Sequence, residues 1–179
     1  IKPTGNSRIT WMETAVPLTI VIPAYNEAEN LKIVLPDLLE LCEQHNWKIM
    51  ITNDGSKDDT RNVLQSFATN PRLSVVHHKL NKGYGAAIKS SIARCDTEYV
   101  ITVDADGQHR KEDIVKLFDT IVAQDADMVV GSRKGTKAAS RMRAVGKSII
   151  RFTAKLLLTV PIHDINSGMK IYRTELAQK

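Results

Sequence analysis

The 179-residue chain suits one domain at about 150 residues each, and its 42 % hydrophobic and 25 % charged residues, with 9 Gly and 6 Pro, exclude collagen-like and wholly disordered chains. Two cysteines, Cys42 and Cys95, exclude a disulfide framework and form no CxxC pair for structural zinc, so a reducing compartment is the default. The net charge of +5 is unevenly spread: residues 1–132 carry 14 Lys and Arg against 18 Asp and Glu, whereas 133–179 carry 11 against 2.

Residues 1–16 read as a flexible leader, with Met12 a candidate native start, and they lack the apolar stretch of a signal peptide. No apolar run reaches the roughly 18 residues of a membrane span. LTIVIP (18–23) then reads as a buried strand. Asn26 is placed to cap a helix whose apolar Leu31, Val34, Leu35, Leu38 and Leu41 recur at three- and four-residue spacing. WKIMITND (47–54) is a second strand, Asp58 or Thr60 opens a helix towards Phe67, and LSVVHH (73–78) is a third strand.

After the turn NKGYG the pattern predicts a helix through about Arg94, a strand EYVITVDAD (98–106), a helix over Lys111 to Gln124 and a strand DMVVGS (127–132). Such alternation implies right-handed βαβ crossovers, hence an α/β domain with a mainly parallel sheet and helices on both faces. Ligands in such sheets sit beyond the carboxyl ends of the strands, here Ala24–Glu27, Asn53–Ser56, Asp104–Gln108 and Ser132–Arg133. From Arg133 to Lys155 eight basic residues occur without an acidic one, leading into a helix over Arg143 to Thr159 that is basic on one side and apolar on the other. That pattern fits an anionic membrane surface and fits equally a helix packed on the sheet with a solvated outer face.

Asp104 and Asp106 leave an apolar strand two residues apart, which strand alternation places on one side, and Gln108 adds a neutral oxygen. Hard oxygen ligands of this kind hold Mg2+ or Mn2+ with positions open for phosphate oxygens, although a lone Asp-x-Asp also serves as a turn or cap. Asp54-Gly55-Ser56 ends another strand, where Asp54 can accept hydrogen bonds from a ribose or base and Gly55 permits close backbone approach. The amides of Asn81-Lys82-Gly83-Tyr84-Gly85 open a helix and, with Lys82, can face an anion.

GYGAAI fails the dinucleotide pattern at Ile88, and GKS (146–148) fails the P-loop pattern because Arg141 stands where its first glycine belongs. Adjacent His77 and His78 point to opposite strand faces and do not chelate one metal, which leaves His109 as the only histidine expected near the site. Only 5 % of residues are aromatic and none interleaves with Arg133–Lys147, which argues against nucleic acid as the partner.

VIPAYNE (21–27), NDGSKDDT (53–60), NKGYGAAIKS (81–90), VDADGQH (103–109), GSR (131–133) and DINSGMKIYR (164–173) follow one another in the order and at about the spacing of glycosyltransferase family 2. The chain most resembles the polyprenyl-phosphate branch of that family, from about Pro17 to Arg173. The resemblance implies a GT-A fold with a Rossmann-like nucleotide-binding half, and inverting, metal-dependent transfer of a hexosyl group from a UDP- or GDP-sugar to a polyprenyl phosphate. By motif match, Pro23, Ala24, Tyr25, Glu27, Asp54, Lys82 and Asp104 would bind the nucleotide sugar, and Asp104, Asp106 and Gln108 would hold Mg2+ or Mn2+.

Arg133 would meet the donor or the acceptor phosphate, and Arg143 and Lys147 the acceptor phosphate, with Arg141 an alternative to Arg143. Asp104, Asp106, Arg133 and Asp164 would form the catalytic set, Asp164 acting as base if the acceptor is a hydroxyl of a saccharide or protein. Where the family carries Ser/Thr-Ser-Gly-Phe-Arg, this chain reads Asn166-Ser167-Gly168-Met169-Lys170. A soluble family 2 transferase and a non-catalytic nucleotide-sugar-binding domain are the competing readings. Relatives continue into anchoring helices, so residues 17–179 are expected to be a single catalytic domain, either cut short of them or anchored through a partner, working at the cytoplasmic face of a membrane.

Overall fold

The computed structural model describes residues 17–131 and 169–179. In chain order the described elements are β1 (Leu18–Ala24), α1 (Ala28–His45), β2 (Lys48–Asn53), α2 (Thr60–Ser66), β3 (Leu73–His77), α3 (Tyr84–Ile92), β4 (Tyr99–Thr102), α4 (Lys111–Gln124), β5 (Met128–Val130), β6 (Lys170–Arg173) and α5 (Thr174–Ala177). The strands form one sheet in the order β3-β2-β1-β4-β6-β5. β3, β2, β1 and β4 are parallel, whereas β6 runs antiparallel to both β4 and β5.

Strand alternation builds two cores. Ile20, Ile22, Ile49, Ile51 and Ile101 face Leu31, Leu35 and Leu38 of α1, Val63 and Leu64 of α2, and Ile114 and Ile121 of α4. Val21, Met50 and Val100 face the other way, where Ile88 and Ile92 of α3 and Ala177 of α5 cover them. The expected α/β layering, with helices on both faces, is therefore observed. Among the described residues no helix is long and apolar enough to cross a membrane.

Three expectations need correction. β6 was not anticipated, and it separates β5 from β4: four residues, KIYR, carry too little periodicity to stand out. The strand expected over 98–106 leaves the ladder at Thr102, and the chain then turns through Gly107 at φ 71°. Burial still alternates beyond the ladder, Val103 and Ala105 buried, Asp104 half-buried and Asp106 exposed, so both carboxylates remain on the outward side.

Asn26 does not cap α1. It adopts a left-handed φ of 57°, and the N-cap position belongs to Glu27, which makes no side-chain cap bond. The helix is capped from a distant loop: the Glu27 amide donates to Thr60 Oγ1 (2.9 Å) and the Ala28 amide to Asp58 Oδ2 (3.2 Å). The expected helix over Arg143 to Thr159 lies outside the described residues.

Candidate functional site

Four loops leave the carboxyl ends of β1, β2, β3 and β4 on one edge of the sheet, and hydrogen bonds run from each to the next. The first two loops clasp each other. The Asn26 amide donates to Ser56 Oγ (3.0 Å), the Lys57 amide to Asn26 Oδ1 (2.8 Å), and the Ser56 amide to Asn53 Oδ1 (3.0 Å). Asp58 Oδ1 accepts both the amide (3.0 Å) and the hydroxyl (2.6 Å) of Thr60. Burial works against the ionised form of Asp58, but the bonds from Thr60 and the Ala28 amide outweigh it and hold its pKa below the ordinary value.

Asp54 joins the second loop to the third. Its residue is 3 % exposed, and its carboxylate accepts from His78 Nδ1 (2.6 Å), the Lys82 amide (2.9 Å) and the Gly83 amide (2.8 Å). Burial again raises its pKa, and the bonds from His78, Lys82 and Gly83 overcome this and leave it lowered. The amides expected to face an external anion thus already hold an internal one, while the Lys82 side chain is exposed.

Tyr84 joins the third loop to the fourth, its hydroxyl donating to Asp104 Oδ1 at 2.9 Å. His109 Nε2 stands 3.5 Å from Asp104 Oδ2, as near the site as expected, and the Gln108 amide donates to Asp106 Oδ1 (3.0 Å). Pro23 and Ala24 end β1 beside Thr52 and Asn53, Tyr25 is 40 % exposed on the rim, and Glu27 accepts from Asn30 Nδ2 (2.6 Å). Pro23, Ala24, Tyr25, Glu27, Asp54, Lys82, Asp104, Asp106 and Gln108 therefore lie on the connected loops of one sheet edge. Arg133, Arg141, Arg143, Lys147 and Asp164 lie outside the described residues.

His109 is not the only histidine at this edge. His78, set aside in the sequence with its strand neighbour, bridges Asp54 and Ser90 with a side chain 6 % exposed. His77, by contrast, is largely exposed; the partial desolvation of its ring and the Arg61 charge lower its pKa. The parallel register carried the signal: Asn53 pairs with His77, so the next residue of each strand, Asp54 and His78, must meet beyond the ladder.

Among the described residues no three His, Cys, Asp or Glu side chains gather as a metal cage. The donor set nevertheless fits a divalent cation of the Mg2+ or Mn2+ kind, which binds through one or two carboxylates and completes its shell with substrate phosphates and water. Asp104 and Asp106 supply hard oxygens at the solvent side of the β4 exit.

The arrangement of the sheet is shared with solved structures. A glucosyl-3-phosphoglycerate synthase from Mycobacterium tuberculosis, crystallised with Mn2+, UDP-glucose and phosphoglyceric acid, superposes with a TM-score of 0.70 at 19 % identity over 90 % of this chain and 57 % of that one. A mannosyl-3-phosphoglycerate synthase from Rubrobacter xylanophilus gives 0.71 at 16 % identity over 90 % and 55 %. The fold is GT-A.

Curated relatives include a polyprenol monophosphomannose synthase of Mycolicibacterium smegmatis, 32 % identical over 89 % of this chain and 63 % of the relative. An undecaprenyl-phosphate 4-deoxy-4-formamido-L-arabinose transferase of Pseudomonas syringae is 32 % identical over 87 % and 47 %, and a dolichyl-phosphate beta-glucosyltransferase of Trichomonas vaginalis 32 % over 97 % and 59 %. The chain thus spans about half to under two thirds of the length of the curated relatives it matches. The family model for Glycosyl transferase family 2 matches residues 19–179, and with the fold, the loop edge and these relatives in agreement, the chain belongs to that family.

Proposed function

We propose that the protein transfers a hexosyl group, with inversion, from a UDP- or GDP-sugar to a polyprenyl phosphate at the cytoplasmic face of a membrane. The observation that carries this reading is the linked loop edge ending on Asp104, in a chain whose relatives are named as a polyprenol monophosphomannose synthase and as undecaprenyl-phosphate and dolichyl-phosphate sugar transferases. Pro23, Ala24, Tyr25, Glu27, Asp54 and Lys82 line the nucleotide side, and Asp104, Asp106 and Gln108 the diphosphate side. Bound at these oxygens, Mg2+ or Mn2+ supplies the positive charge that stabilises a leaving diphosphate.

Tyr84 and His109 hold the Asp104 carboxylate from two sides, so its orientation is set before ligands arrive. A lipid phosphate, with a second pKa of about 6, is largely dianionic at neutral pH and attacks without a strong base. Arg133, Arg143 and Lys147 orient that dianion through charge-assisted hydrogen bonds. The eight basic residues between Arg133 and Lys155 support an anionic acceptor at a membrane surface.

The test incubates the protein with radiolabelled UDP- and GDP-sugars, Mn2+ and polyprenyl phosphate in detergent. Label passing into butanol-extractable lipid with one donor family supports the reading. Label appearing only in free sugar or in water-soluble saccharide overturns the acceptor, and intact donor throughout overturns the activity.

A further inference from the structure

Asp54 and the His78 ring, both buried, form with the half-buried Ser90 a relay that none of the site motifs required. His78 Nδ1 lies 2.6 Å from Asp54 Oδ1 and Nε2 lies 2.8 Å from Ser90 Oγ. Ionised Asp54 can only accept, so the network assigns the proton to Nδ1; in the neutral ring Nε2 then accepts the Ser90 hydroxyl. The order of groups matches that of a hydrolytic triad, but the half-buried Ser90 sits in the last turn of α3, and Asp54 and the ring are only 4 % and 6 % exposed.

What it touches shows what it can serve. Asp54 Oδ1 accepts the Lys82 amide as well as His78, and Oδ2 accepts the Gly83 amide, so one carboxylate holds the loop between β3 and α3. A carboxylate offers about four acceptor positions, of which three are taken. Gly83 is the residue before α3, and α3 begins with Tyr84, whose hydroxyl meets Asp104. The path Ser90–His78–Asp54–Gly83–Tyr84–Asp104 therefore ties the last turn of α3 to the first carboxylate of the β4 exit.

We propose that His78 is a positioning residue of the donor site: by orienting Asp54 it fixes the Lys82–Gly83 strap, and through the strap the placement of Tyr84 against Asp104. The proposal rests on the reading of this edge as the nucleotide-sugar site. It predicts that removing the ring acts on donor binding, without His78 itself touching the donor.

The test compares the full chain with its H78A, H78N and S90A variants. H78N keeps an N–H donor close to the place of Nδ1, whereas H78A keeps none. Amide exchange by NMR, without ligand, is expected to accelerate about tenfold at Lys82 and Gly83 in H78A, as for loss of a bond to a charged group, and to return towards wild type in H78N. S90A is expected to fall between them. Calorimetry with UDP and GDP plus Mn2+ is expected to show the same order in nucleotide affinity.

Unchanged exchange at Lys82 and Gly83 in H78A overturns the proposal. So does uniform acceleration across the domain with unchanged nucleotide affinity, since that is the mark of a merely structural histidine. If wild type binds neither nucleotide, the donor-site reading fails, and local acceleration in H78A with recovery in H78N still upholds the strap.

Discussion

Gly55 and Asn81 meet backbone to backbone. A β-carbon on Gly55 would stand 2.5 Å from the Asn81 amide nitrogen and 2.5 Å from the Leu80 carbonyl carbon, and Gly55 itself has φ 69°. The loop after β2 and the loop after β3 therefore lie in contact at a point where only hydrogen fits. This contact seats the Lys82 and Gly83 amides on Asp54, the residue before Gly55.

G55A should push these loops apart. Left-handed strain at a non-glycine residue costs about 1–3 kcal/mol, and the contact with Asn81 adds to it. Urea unfolding should show a lowered midpoint, and UDP or GDP affinity should fall with it. An unchanged midpoint would mean that the loops separate freely.

The clasp between Asp58, Thr60 and the start of α1 supplies the cap that Asn26 does not. D58A and T60V should each destabilise the fold by about 0.5–2 kcal/mol, the usual range for a lost N-terminal cap. Asp58 bonds to Thr60 as well, so the double variant should cost less than the sum of the singles. Additive losses in a double-mutant cycle would show that the two caps act separately.

Asp54 and Asp58 both titrate below their ordinary value of 3.8 in the folded chain. As pH falls through 3.8 the unfolded chain takes up protons first, so the stability these carboxylates contribute is full above that value and is lost towards their lower folded pKa values. Unfolding curves from about pH 6 down to about pH 2 should therefore steepen in their acid dependence below 3.8. D54N and D58N should each flatten that region; a variant that follows wild type at every pH removes its carboxylate from the explanation.

Asp106 reaches solvent, so D106N should leave folding intact while removing Mn2+-dependent nucleotide binding. Nucleotide at about 100 times its dissociation constant stabilises wild type by about 2.7 kcal/mol. In the variant, manganese should add little to the thermal shift given by nucleotide alone. Manganese-dependent affinity equal to wild type would falsify the ligand role.

Burial pushes the Cys42 thiol up to about 12 and the Cys95 thiol up to about 11, from an ordinary 9.0. Unfolded thiols ionise first as pH rises, so stability is full below 9.0 and declines above it. At about pH 8 both should react with a disulfide reagent only as fast as the domain opens. Rapid labelling of either cysteine in the native protein would contradict the burial.

The parallel half of the sheet was legible because each strand is a short β-rich apolar run bounded by polar turns, LTIVIP and KIMITN above all. Helix α4 was readable to its ends, since Ile114, Leu117 and Ile121 recur at helical spacing. The clustering of Glu27, Asp54, Lys82 and Asp104 followed from the rule that parallel strands empty onto one edge. The cap of α1 could not be read locally, because its donors and acceptors lie about 30 residues apart in sequence and meet only after β1 and β2 pair. His78 escaped for a related reason: its partner Asp54 becomes visible only once the register of β2 and β3 is known.

The antiparallel β6 brings together strands synthesised far apart in time. Among the described residues Met128–Val130 pairs only with Lys170–Arg173, which is synthesised about 40 residues later. At about 5–20 residues per second, roughly 2–8 s of synthesis separate β5 from the strand that is its neighbour among the described residues. Among the described residues the tetrapeptide Lys170–Arg173 is what covers both β4 and β5 on their facing edges, so a change in these four residues unpairs two strands at once.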